Sequence, residues 1–264
     1  MGSKILYFEG QDGISGDMTL GALIDLGADV TIIKRELDKI VPEPYNLIPN
    51  SFSRNGIHGT NLDVIIPGEG SQKGAVHVAH EHRHYSDIKE MILKSGISET
   101  AKTYALAIFL VIAEAEATVH RTATEEVAFH EVGAMDSIID IVGTAIAIDI
   151  LGVREFYCSA LRDGSGFIVC RHGRIPVPVP AVMEMAKDAG IPLIIDEDVK
   201  TEMITPTGFG IIKGLGAVFE PKLGIFPEKV GYGFGKRDTG RLGALRVILG
   251  ERHLYEGACE NIRP

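Results

Sequence analysis

The sequence predicts an α+β fold, with mixed β-sheets and packed helices, on three observations. The chain opens with a strand, two helices and two strands, an N-terminal β-α-α-β-β unit. A long central helix follows. The strands and helices after it do not alternate as a regular βαβ series would. The 264 residues allow one large domain or two ordinary ones. Hydrophobic residues make up 45%, yet there is no tryptophan and aromatics are only 6%, so the core must rest on Ile, Val, Leu and Ala.

The elements follow in order. K-I-L-Y-F (4–8) reads as a strand and runs into a loop, E-G-Q-D-G-I-S-G-D-M (9–18). A helix reaches to about Leu26 and stops at Gly27; a second covers 30–40 and is ended by Pro42 and Pro44. Strands at 45–53 and 57–66 turn at Asn55-Gly56. Residues 67–75 are Gly-rich and polar. Ser86 is placed as a cap before a short helix, 89–93, and 98–120 reads as the long helix, with Tyr104, Ala105, Ile108, Ile112, Ala115 and Val119 at helical spacing. Glu114 and Glu116 read as its solvated edge. Residues 138–151 are predominantly apolar and form a buried helix. Strands are expected at 155–159 and 167–170, separated by a turn at D-G-S-G (163–166). I-P-V-P-V-P (175–180) is stiff and extended. Pro180 starts a helix through Lys187, and strands at 192–195 and 246–249 follow. The division expected is 4–250, in two parts (4–67 and 86–250) joined by a His-rich loop (68–85), with a loose tail at 251–264.

The net charge of -10 argues against a nucleic-acid surface, which needs a basic footprint. Cys158, Cys170 and Cys259 form no C-x-x-C pair, and so sparse a set fits reduced thiols and a cytoplasmic setting. The apolar runs 104–113 and 141–151 are shorter than the ~20 residues a bilayer takes, so no membrane partner is expected.

Five stretches carry candidate chemistry, and the first four each have a plainer reading. H-E-V-G-A-M-D-S-I-I-D (130–140) packs an imidazole and three carboxylates into eleven residues. Asp136 is placed as an N-cap, with Asp140 four residues on along the same helix face. His130, Asp136 and Asp140 offer nitrogen and oxygen ligands to a divalent ion, and Asp17 is expected to join them in one polar cleft. Capping and solvation are the alternative. The loop 13–17 presents Ser15, Gly16 and Asp17 beside a helix N-terminus, equipped for an anion or simply a capped turn. His77, His80, His82 and His84 fall within eight residues, a nickel-binding tract or a solvated linker. T-E-M-I-T-P-T-G (201–208) sets Thr205 and Thr207 at another helix start, for phosphate or carboxylate or for capping alone. In G-Y-G-F-G-K-R-D (231–238), Arg237 offers an anion clamp.

Taken in order, G-I-S-G-D-M, the His tract with R-H-Y, H-E-V-G-A-M-D-S-I-I-D, G-S-G-F with H-G-x-x-P-V-P, E-M-I-T-P-T-G and G-Y-G-F-G-K-R-D resemble one family over nearly the whole of 4–250. It is the nickel-insertion proteins of nickel-pincer cofactor (lactate racemase cofactor) biosynthesis. The resemblance implies a lyase, a nickel chelatase or cyclometallase. It inserts nickel into a pyridinium bisthiocarboxylate mononucleotide, with CTP and Mg or Mn as further requirements. It implies a C-terminal partner region and a homo-oligomer. On that reading Glu131, Asp136 and Asp17 are catalytic, with His130 a further candidate base. His77, His80, His82, His84, His130, Asp136 and Asp140 handle metal. Ser15, Gly16, His172, Thr205, Thr207, Gly208 and Arg237 hold substrate. Glu9 stands where the family carries aspartate, and Asp12 where a small residue is common. Two other classes stay open: a nickel store or chaperone working through the His tract, and a metal-dependent phosphate hydrolase.

Overall fold

The structure is a computed structural model and describes residues 3–67, 83–129, 135–170 and 172–254. Its elements are β1 (Lys4–Glu9), α1 (Gly16–Asp25), α2 (Val30–Leu37), β2 (Asn46–Arg54), β3 (Ile57–Ile65), β4 (Arg83–His84), α3 (Tyr85–Lys94), α4 (Glu99–His120), β5 (Ala128–Phe129) and α5 (Met135–Leu151). The second half holds β6 (Glu155–Cys158), β7 (Leu161–Asp163), β8 (Phe167–Cys170), β9 (Gly173–Pro176), α6 (Pro180–Ala186), β10 (Leu193–Ile195), α7 (Pro206–Gly214), β11 (Val218–Phe219), β12 (Leu223–Phe234) and β13 (Ala244–Leu254). The α+β class expected from the sequence is what the chain forms.

Seven strands make the main sheet, in the order β11-β6-β1-β13-β12-β3-β2. It is mixed: β11, β6 and β1 run parallel, and β13 is antiparallel to both β1 and β12. The sheet draws strands from both 4–67 and 86–250, so its hydrogen bonding is continuous across the two parts placed either side of the His-rich loop. The tail also begins later than expected, since β13 runs through Leu254.

Helix α1 lies on the sheet against β12, β3 and β13, and α5 packs on α1. Helix α4 packs in turn on α5, α6 and α7. Helix α5 is apolar over most of its surface, the pattern of a helix with little solvent face, and Ile138 through Ile148 are all buried. Gly143 lets it approach closely: a Cβ there would lie 2.7 Å from Leu20 Cδ2. Helix α4 has 22 residues and is long and apolar enough, by length and composition, to cross a membrane. Here Ala105, Ile108 and Ile112 are fully buried against its neighbours.

Strand β12 takes in Gly231 to Phe234, the first half of the G-Y-G-F-G-K-R-D stretch. Its glycines serve helix packing. A Cβ on Gly231 would lie 2.4 Å from Ala22 O, and one on Gly233 1.8 Å from Met18 O, so α1 can rest on this strand only because side chains are missing there. Helix α3 opens at Tyr85 rather than after Ser86. The Asp87 carboxylate accepts the His84 N–H at 3.0 Å and so closes its first turn.

Candidate active site at two joined helix N-termini

The loops entering α1 and α7 are laced together. The Ile14 N–H donates to Met203 O at 2.9 Å, and the Thr205 N–H donates to Ile14 O at 3.0 Å. Glycine is required on both sides. A Cβ on Gly13, where φ is +91°, would lie 2.3 Å from Met203 O, and one on Gly208 2.3 Å from Ile14 O. Behind them Asp163, fully buried, takes three N–H donors on one oxygen: Gly164 at 2.8 Å, Met203 at 2.8 Å and Ile204 at 3.1 Å. Burial pushes its carboxyl upward, and those N–H groups and Arg237 draw it part of the way back.

The two helix starts are capped alike. Ser15 Oγ accepts from Met18 N–H at 3.4 Å and donates to the Asp17 carboxylate. Thr205 Oγ1 accepts from Gly208 N–H at 3.1 Å and lies 2.8 Å from Thr207 Oγ1. Each cap satisfies one of the four first-turn N–H groups that a helix cannot pair internally. Two positive dipole ends therefore meet at one place.

Helix α5 brings its own start to this junction. Asp136 is not its N-cap, because the helix has already begun at Met135, which makes Asp136 its second residue. Asp136 sits exposed in the first turn and accepts the N–H of its neighbour Ser137 at 2.8 Å. Asp140, one turn on, is buried against α1. A Cβ on Gly16 would fall 2.7 Å from its Cβ and 2.8 Å from its Oδ2. Burial pushes the Asp140 carboxyl well above the usual carboxylate range; Asp17 and Asp136 push it further, and Lys236 pulls it back. Among the described residues, its Oδ1 has no hydrogen-bond partner.

Asp17 and Asp136 thus both lie close enough to act on Asp140. His130 and Glu131 lie outside the described residues, as do His77, His80 and His82. His84 is described: it is exposed, its Nδ1 lies 3.3 Å from Glu126 O, and it lines neither of the cavities below. Among the described residues, no three His, Cys, Asp or Glu side chains are grouped to hold a metal ion.

Two cavities open at the junction. The smaller, about 240 Å³, has Asp12, Ser15, Asp17, Lys236 and Thr239 in its wall. Lys236 Nζ lies 3.3 Å from the Asp63 carboxylate and 3.9 Å from that of Asp17. The larger, about 300 Å³, sets Thr207, Ser137, His120 and His172 against apolar walls from Val119, Phe129, Ile168 and Val179. Glu202, Thr205 and Arg237 line both. Arg237 Nη1 donates to the buried Glu202 carboxylate at 2.6 Å and to its carbonyl at 3.2 Å, so one ion pair stands between the two spaces.

Of the residues singled out from the sequence, Ser15, Asp17, Thr205, Thr207, Arg237 and His172 line a cavity; Gly16 and Gly208 are the close-packed glycines behind it. Sequence reasoning missed Glu202, Asp163 and Lys236 as site residues, and it put Glu116 on a solvated edge. Glu116 instead faces the larger cavity, 3.3 Å from His120 Nε2, while Glu114 is exposed. The four-residue spacing of Glu116 and His120 was the available signal.

The family model described as nickel insertion protein matches residues 6–262. The "Pyridinium-3,5-bisthiocarboxylic acid mononucleotide nickel insertion protein" of Acetivibrio thermocellus is 50% identical over 250 residues, covering 94% of this chain and 60% of the relative. The protein of the same name from Lactiplantibacillus plantarum is 47% identical over 262 residues, covering 94% and 62%. A "Putative nickel insertion protein" of Dictyoglomus thermophilum is 44% identical over 248 residues, covering 94% and 61%. The chain spans about three fifths of the length of these relatives. No solved structure matches it at a significant level. With a family match over almost its whole length and relatives at this identity, the chain belongs to the nickel insertion protein family.

Proposed function

We propose that this chain carries out nickel insertion into pyridinium-3,5-bisthiocarboxylic acid mononucleotide, forming a nickel-pincer nucleotide. The reaction is that of a metal-insertion lyase, a cyclometallase, with CTP and Mg or Mn required and a C-terminal region completing the site. One observation carries the reading: the larger cavity joins apolar walls to anion-holding groups at a helix start. A pyridinium ring suits Val119, Phe129, Ile168 and Val179. A phosphate or thiocarboxylate suits Thr205, Thr207 and the Arg237 guanidinium. Forming the nickel–carbon bond releases a ring proton, and that proton needs an acceptor beside the ring. Among the described residues, the carboxylates lining the two cavities are Asp12, Asp17, Glu116 and Glu202, and of these Glu202 lines both.

In this scheme Arg237 has two tasks. It neutralises Glu202 in the free protein and turns toward the anionic substrate on binding, which frees the Glu202 carboxylate to take a proton. The test is an insertion assay with nickel, CTP and the mononucleotide, run with and without a separately supplied C-terminal region. Cofactor formation in at least one arm is expected. Arg237→Ala and Thr205→Ala should raise the substrate KM. No cofactor in either arm overturns the proposal.

A further inference from the structure

We infer that Cys170 and His172, on the β8–β9 hairpin, form a two-donor docking point for nickel at the mouth of the larger cavity. The inference rests on the function proposed above for the identity of the metal and adds where the ion stands before transfer. Cys170 Sγ lies 3.9 Å from His172 Nδ1. With bonds of about 2.3 Å to sulfur and about 2.0 Å to nitrogen, two adjacent donors on one ion stand roughly 3.1 to 3.6 Å apart. The hairpin side chains need to close by roughly 0.3 to 0.8 Å. Both residues line the cavity, beside the walls suited to the pyridinium ring.

A second pair holds this one in place. The His120 ring packs on that of His172, with centroids 5.0 Å apart and planes tilted by 33°. His120 is itself set by Glu116, at 3.3 Å, from one turn back on α4. His120 and Glu116 are therefore positioning residues: they fix the plane of the His172 imidazole as outer partners fix metal-bound histidines elsewhere.

Two donors are too few to retain nickel, and that suits transfer. Thiolate and imidazole both suit nickel, and the remaining positions stay open to the substrate's thiocarboxylate sulfurs. On docking, the Cys170 thiol gives its proton to solvent as the nickel–sulfur bond forms, and the metal stays divalent. On transfer, the substrate sulfurs replace Sγ and Nδ1, and the thiol takes a proton back. Cys158 offers no rival site, being 1% exposed, with burial pushing its thiol up to about 12.

The experiment titrates nickel chloride alone into the chain with His77, His80, His82, His84 and Cys259 replaced, so that the tract and the tail thiol contribute nothing. The readout is thiolate-to-nickel charge-transfer absorption. The parent should show a band that saturates at a single ion per chain. Cys170→Ser should abolish it, and His172→Ala should weaken nickel affinity by at least about tenfold. His120→Ala should weaken affinity less and keep the band. Absence of a band in the parent, or a band that survives Cys170→Ser, overturns the inference. The insertion assay separates the two readings. Full insertion by Cys170→Ser removes the docking point and leaves the proposed function standing. A normal band with no insertion in any arm removes the function and leaves the docking point.

Discussion

Asp140 is the residue whose environment departs furthest from what its chemistry prefers. It is a buried carboxyl on α5, beside Asp17 and Asp136, with Lys236, among the described residues, offsetting them. Its folded pKa is raised, so its neutral form is the one folding favours. The stabilisation from that form is complete below the ordinary carboxyl value of 3.8 and is lost as pH climbs through the raised folded value. Asp140→Asn keeps the shape and removes the titration. The variant should melt higher than the parent at neutral pH, and the gap should shrink as pH falls toward 3.8, read by thermal melting across a pH series. A constant gap at every pH sinks this account of Asp140. Gly16→Ala tests the same contact from the α1 side. Its Cβ would press on the Asp140 side chain at 2.7 Å, and overpacking of this kind costs about 1–3 kcal/mol. Combined with Asp140→Ala the cost should fall only in part, because the carboxyl atoms at 2.8 and 3.1 Å are gone while the Cβ at 2.7 Å stays.

At the scale of elements, the site is a meeting of helix starts, and caps and glycines mark those starts in a sequence. Ser15 and Thr205 were legible as caps, and Gly13, Gly16 and Gly208 as loop glycines, because φ, capping chemistry and close approach are local demands. Asp136 was misplaced by two positions, within the usual uncertainty of a helix end. Asp163 was not legible at all. Its partners Met203 and Ile204 lie forty residues downstream, and nothing in D-G-S-G distinguishes a latch from a turn. Thr205→Ala removes one cap bond from α7 and should cost ~1 kcal/mol. For a chain of this size that is a fall in Tm of about 2–4 °C. If Thr205 also holds the substrate anion, mononucleotide affinity should fall by more than the lost stability explains. Calorimetric titration of the folded variant at a temperature well below its Tm separates the two effects. Strand β12 shows the opposite case. Gly224, Pro227, Gly231 and Gly233 break the alternation that would have announced a strand, yet Gly231 and Gly233 are what α1 rests upon. Gly233→Ala should therefore be among the most damaging single-methyl changes in the chain, since its Cβ would meet Met18 O, a backbone atom, at 1.8 Å. Loss of soluble folded protein by circular dichroism is the expected outcome.

At the scale of the whole molecule, the order of the sheet could not be read from the chain, because its central pairing joins opposite ends. Strand β1 runs antiparallel to β13, with Lys4 opposite Glu251 and Glu9 opposite Arg246. Local pattern announces that both are strands, and Arg246 to Leu249 was legible for that reason. It carries no information that β13 inserts between β1 and β12, which divides the parallel trio β11-β6-β1 from the rest. That insertion ties the site together. Strand β1 leads into the Gly13–Ser15 loop, β12 leads into Lys236 and Arg237, and β13 is hydrogen-bonded to both. The ends of the chain thus set the distance between the α1 start and the cations opposite it. A chain ending at residue 243 would leave β1 and β12 each with an open inner edge in the middle of the sheet. It should fail to reach a cooperative fold, while a chain ending at residue 254 should melt as the parent does. Because the pairing closes a loop of more than two hundred residues, it should also form late: in pulse-labelling hydrogen exchange during refolding, amides of α4 and α5 should gain protection before those of β1 and β13. Early protection of the β1–β13 ladder, or a cooperative melt from the chain ending at 243, would show that the helices, and not this strand pairing, hold the two sides of the site in place.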